Sequence, residues 1–219
     1  MTRSVPCARF VFCTSLLASA SVCDAAFLFN VSLDTSPLIG HPAAPFSLDF
    51  QLNDGSATGD RNNTAFLSNF QFGNGGMAGP GSPTLIGGAA GNLSSTVTLQ
   101  DTRFLNEFFQ PFTPGTLLCF DVNLTTNLDN SPTPDQFSFA ILDGSGIEIP
   151  TEGLGDAFLK VNINSANPAI QTFSTDLSRT DIAVDAPALN ACVPEPATCG
   201  LLMIGLGVLV AGHRTKTLH

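Results

Sequence analysis

The chain has no tryptophan and no tyrosine. Sugar-binding faces generally use a flat ring with a polar edge, which these two residues supply and phenylalanine does not. The 18 phenylalanines therefore read as core. Histidine is scarce as well, and between the two ends of the chain only His41 occurs. A Ser-His-Asp or Cys-His site would have to use it, yet it sits between Gly40 and Pro42 with no nucleophile motif beside it. A zinc site needs several His or Cys at ligand spacing, and none is present. Basic residues are also few: residues 26–192 contain Arg61, Arg103, Lys160 and Arg179 against 16 acids. That imbalance disfavours nucleic acid and anionic membrane surfaces as partners.

The two ends differ from the middle. Arg3 and Arg9 precede an apolar run from Phe10 to Ala20, the tripartite form of a signal peptide, so residues 1–25 read as an export helix. Cleavage after Ala20 and cleavage after Ala25 both fit the small-residue rule; lipoprotein processing at Cys23 is opposed by Val22, where a small residue belongs. At the other end, residues 193–219 begin Val193-Pro194-Glu195-Pro196 and continue through 16 uncharged residues, Ala197 to Gly212, to Arg214 and Lys216. As a helix those 16 residues span about 24 Å against a hydrocarbon core of roughly 30 Å, short for a permanent anchor. The prolines suit the first helical positions and Glu195 suits the positive end of the helix dipole. The basic end stays in the cytoplasm and everything before Val193 lies outside.

This order of Pro-Glu-Pro, short apolar helix and basic end resembles the PEP-CTERM sorting signal of Gram-negative bacteria that make exopolysaccharide. The resemblance implies recognition by an exosortase, a membrane transpeptidase that cuts near the Pro-Glu-Pro, after export by the Sec translocon and signal peptidase. Family tails end in adjacent arginines, whereas Arg214 and Lys216 stand two residues apart, which implies weaker retention before cutting.

Residues 26–192 have the length of one domain. Phe27, Phe29, Val31 and Leu33 alternate with polar positions, as do Phe46 to Leu52 and Leu118 to Leu124, the period of half-buried strands. Thr64 to Phe72 reads as a Phe-rich strand. Gly73 to Gly91 reads as a Gly/Pro loop with one short strand at Thr84–Ile86, its glycines serving as loop punctuation. Leu93 to Leu99 alternates, and Asp101 to Phe112 fits both helix and strand, with strand favoured by its neighbours. Pro132 to Pro150 reads as a hairpin turning at Asp143-Gly144-Ser145-Gly146. Ala157–Ile163, Ile170–Ser174 and Asp181–Asp185 close the domain. The expected fold is an all-β antiparallel sandwich, jelly-roll-like, of about ten short strands, flanked by a signal-peptide helix and a C-terminal transmembrane helix. The hairpin, the Asn106-Glu107-Phe108 run and the Phe112-Thr113-Pro114-Gly115-Thr116 turn resemble a recurring family of exported PEP-CTERM proteins whose body has no assigned activity.

No catalytic residue stands out. The loop Asp54 to Asn63 has the carboxylates, amides and hydroxyls to wrap calcium, with Asp54 and Asp60 as candidates, but its spacing matches no standard calcium loop and an Asx-rich turn explains the same letters. Among accidental carboxylate pairs, Asp135 is the acid to test first, although turn capping also explains it. Cys119 and Cys192 are the two cysteines sure to reach an oxidising compartment, and they are expected to pair, with Cys119 on a polar face at the surface. Two functions compete: a non-catalytic matrix or surface module that meets exopolysaccharide or other surface proteins, which is favoured, and a polysaccharide-active hydrolase or lyase. No cofactor is called for, calcium aside.

Overall fold

The alternation read from the sequence becomes two stacked sheets. The computed structural model describes residues 26–129 and 131–190. Its strands in chain order are β1 (Ala26–Leu33), β2 (Phe46–Asn53), β3 (Thr64–Gln71), β4 (Met77–Ala78), β5 (Thr84–Ile86), β6 (Gly88–Gly91) and β7 (Val97–Gln100). They continue as β8 (Leu105–Thr113), β9 (Leu118–Thr125), β10 (Asp135–Leu142), β11 (Leu159–Ile163), β12 (Ile170–Thr172) and β13 (Ala188–Leu189). The described residues contain no α-helix, only a 3-10 turn at Ser36–Leu38, and no helix among them is long and apolar enough to cross a membrane. The two flanking helices expected from the sequence lie outside the described residues.

One sheet has the order β13-β1-β9-β3-β7-β6 and the other β12-β11-β10-β2-β8-β4, with β5 also on β8; the pairings are antiparallel. The chain crosses between the sheets repeatedly, with β1, β3 and β9 in one and β2, β8 and β10 in the other, and the inner faces close on each other. Phenylalanine fills the gap: Phe50 of β2 meets Phe120 of β9 edge to face at 5.2 Å and stacks on Phe139 of β10 at 5.2 Å. All three are fully buried, and each such side chain contributes about 1.5–3 kcal/mol by leaving water. The inward sets Phe46, Leu48, Phe50, Leu52 and Leu118, Phe120, Val122, Leu124 are buried as the alternation predicts.

Several expectations are corrected. The described residues contain thirteen strands rather than about ten, because the glycine stretch 73–91 also supplies β4 and β6 and Ala188–Leu189 supplies β13. Gly88 and Gly91 are thus strand residues, not loop punctuation. Leu93 is buried but belongs to a turn, and β7 begins only at Val97. The return of the hairpin at Ile147–Ile149 shrinks to one bridge, Leu142 with Glu148. Asp181–Asp185 forms no strand; Val184 instead bonds Thr175 through backbone and hydroxyl. Cys119 is not at the surface but 1% exposed, because β9 is an interior strand and holds it between Ser32 of β1 and Gln71 of β3.

Candidate metal centre

Five strand ends meet at one end of the sandwich. Asp54 follows β2, Asn63 precedes β3, Asp101 follows β7, Asp129 lies beyond β9 and Asp135 opens β10. The register brings them together, since Asn53 sits across from Gln136 and Thr64 across from Gln100. Strands from both sheets therefore contribute. Carboxylate oxygens of Asp54, Asp129 and Asp135 lie within 4.8 Å of one another. Two unit charges at that separation repel by about 3 kcal/mol at an effective dielectric of 20. No Lys or Arg ion pair among the described residues offsets this, because Arg179 is engaged by Asp156 and Asp176.

Asn63, itself buried, ties the group. Its backbone N–H donates to Asp101 Oδ2 at 2.9 Å, its side-chain nitrogen donates to Asp135 Oδ2 at 2.8 Å and to the Asn127 carbonyl at 2.9 Å, and its Oδ1 accepts the Asn127 N–H. Asp135 Oδ1 accepts the Gly55 N–H at 2.8 Å. Asp54 accepts the Ser56 hydroxyl and the N–H groups of Ala57 and Gly59. Burial pushes the Asp54 carboxyl upward, but the Ser56 hydroxyl and the N–H groups of residues 56, 57 and 59 outweigh it and hold the group below its ordinary value. Asp101 and Asp129 go the other way: burial raises both, followed by the negative charges of Asp135 and Asp60. The Asp129 carboxylate borders an open cleft with Ser56, Thr58, Asp60, Leu128 and Ser131.

Of the two calcium candidates read from the sequence, Asp54 belongs to the trio, while Asp60 stands exposed at the rim, where its Oδ1 accepts the Asn62 N–H. Asp135 both caps a turn and enters the cluster. Asp101 and Asp129 were not singled out, since only pairing between distant strands brings them here. The donor set is all oxygen, which suits a hard cation rather than zinc.

Elsewhere, His41 Nδ1 accepts the Ala43 N–H at 3.2 Å and its Nε2 lies 3.5 Å from Asp181, a turn role. On the outer face of the second sheet, Gln51 donates to Asp49 at 2.7 Å and to Glu107 at 3.3 Å. Cys119 is disulfide-bonded, and every other cysteine, Cys192 included, lies outside the described residues. So do Val193, Pro194, Glu195, Pro196, Arg214 and Lys216.

Neither the curated proteins nor the solved structures include a match to the chain. Residues 193–214 match the family model of the PEP-CTERM protein-sorting motif. That motif implies export and processing by an exosortase, and the chain is thus a β-rich body that carries a PEP-CTERM sorting signal at residues 193–214.

Proposed function

We propose that the sandwich is a non-catalytic interaction module, delivered to the cell surface or extracellular matrix and associated there with exopolysaccharide or other surface proteins. The observation that carries this reading is the sorting motif, which begins at residue 193, four residues after the last described strand, Ala188–Leu189. The repeated crossing of the chain between two antiparallel sheets supports a jelly-roll-like description of the body, an architecture suited to presenting a broad face and variable end loops. The rival is a carboxylate-pair glycoside hydrolase or lyase, with Asp135 as the acid to test first. Asp135 is only 1% exposed and its two oxygens already accept the Gly55 N–H and the Asn63 amide, which supports a structural role for it and favours the interaction reading. The test is incubation of the purified exported chain with an array of bacterial polysaccharides, with and without calcium. Selective retention with no new reducing ends is the expected result. Release of reducing ends would replace this reading with the enzymatic one.

A further inference from the structure

The aspartate cluster is more than a set of neighbouring acids, because one carboxylate oxygen of the buried Asp101 is left without a partner. Asp101 is fully buried. One of its oxygens accepts the Asn63 N–H, while Oδ1 has no hydrogen-bond partner, and its carboxyl group faces that of Asp135. Two more orphaned oxygens lie in the same network: Oδ2 of Asp129 itself, and Oδ1 of Asn62, the residue whose amide nitrogen donates to Asp129. Three of the four buried atoms left unsatisfied among the described residues are therefore acceptors at this one end. A buried acceptor facing other acceptors requires a donor or a cation, since burying unpaired charge is unfavourable.

Geometry selects the cation. Oxygens bound to calcium at 2.3–2.6 Å stand at most about 5 Å apart across the ion, and the carboxylate oxygens of Asp54, Asp129 and Asp135 fall within 4.8 Å of one another. Calcium takes six to eight oxygens in adaptable arrangements, whereas magnesium demands a near-ideal octahedron and keeps its waters. A set drawn from loops of five strands, with carboxylates already held by N–H donors, matches the larger ion. We propose that this end of the sandwich is a calcium site, with Asp54, Asp129 and Asp135 as ligands, Asp101 as the buried carboxylate behind them, and the cleft beside Asp129 as the access path. The ion would join loops of both sheets, since Asp54 and Asp135 flank strands of one while Asp101 and Asp129 follow strands of the other. The proposal rests on this geometry and not on the interaction reading, so a protein that ignores every polysaccharide could still bind calcium.

The test uses the full exported chain, purified in detergent and stripped with a chelator. Calorimetric titration should give one calcium per chain, and saturating calcium should raise the Tm by about 5 °C or more, with magnesium giving less than half the shift. Asp129→Asn should weaken calcium binding by about tenfold or more, because one charged ligand is lost. Asp181→Asn, a highly exposed acid elsewhere, should leave binding unchanged. Absence of heat and of any Tm change at up to about 10 mM calcium, above the range of extracellular modules, would overturn the site. So would undiminished binding by Asp129→Asn. Should that variant fail to fold, the stoichiometry and Tm shift of the unsubstituted chain still decide.

Discussion

At the scale of single residues, the outward position Asp49 is a second place where the fold buries charge, and it shows how far charge can be spared by protonation. It lies between Phe109 and Ala140 on neighbouring strands, and its Oδ1 has no hydrogen-bond partner. Burial raises its carboxyl to about 7, with Gln51 pulling down and the charges of Glu107 and Glu148 adding to the rise. A carboxyl whose folded value is raised binds its proton more tightly in the native state. Its favourable contribution is therefore complete below about pH 4 and is lost as the pH climbs through about 7. Asp49→Asn keeps an acceptor for Gln51 and removes the charge. Denaturant titrations should find the variant within about 1 kcal/mol of the parent at pH 4 and more stable by on the order of 2 kcal/mol at pH 8. Equal differences at the two pH values would mean that Asp49 does not carry a buried charge.

At the scale of elements, legibility followed side-chain type. β1, β2, β9 and β10 announce themselves through Phe, Leu, Val and Ile at every second position. β6 reads Gly-Ala-Ala-Gly and has no such signal. Its glycines serve the backbone instead: Gly91 has φ +102°, and a Cβ there would stand 2.0 Å from the Thr96 carbonyl oxygen. The proposed metal site was half legible for a similar reason. The loop from Asp54 displays its oxygens locally, whereas Asp101, Asp129 and Asp135 join it only through strand pairing. The bridge of Cys119 also belongs to this scale. Asn190 bonds Asn30, one strand away from β9, which places it about 12 Å from Cys119 by strand spacing and rise. Two further residues and a disulfide span about 13 Å, so Cys192 is within reach. Cys23 is not: β1 starts at Ala26 opposite Thr125, six residues along β9 from Cys119, or about 20 Å, against roughly 17 Å of chain and bridge. Non-reducing peptide mapping of the exported chain should therefore recover Cys119 joined to Cys192. A free Cys192 in the mapped protein would refute the pairing.

At the scale of the whole molecule, the last described strand ends before the sorting signal begins. β13 closes the outer edge of β1 through Ala188 on Ser32 and Leu189 on Val31, and the motif starts four residues after that strand. The core cluster of the described residues runs to Val184, with Pro187 buried and Leu189 packed against the core, all before the motif. Removal of the segment from Pro194 onward consequently leaves every described strand paired. The exosortase that the motif implies would then release the body without unfolding it, and the apolar stretch, about 24 Å long if helical, is expected to serve as a temporary hold. Mass spectrometry of the protein recovered from the cell surface should find a chain that ends near Pro194-Glu195-Pro196, with the same melting temperature as the uncut chain to within about 2 °C, since a stretch outside the core contributes little to stability. An intact chain through His219 at the cell surface would refute processing while leaving export in place. A cut chain that melts far lower would show instead that residues after Asn190 are part of the folded body.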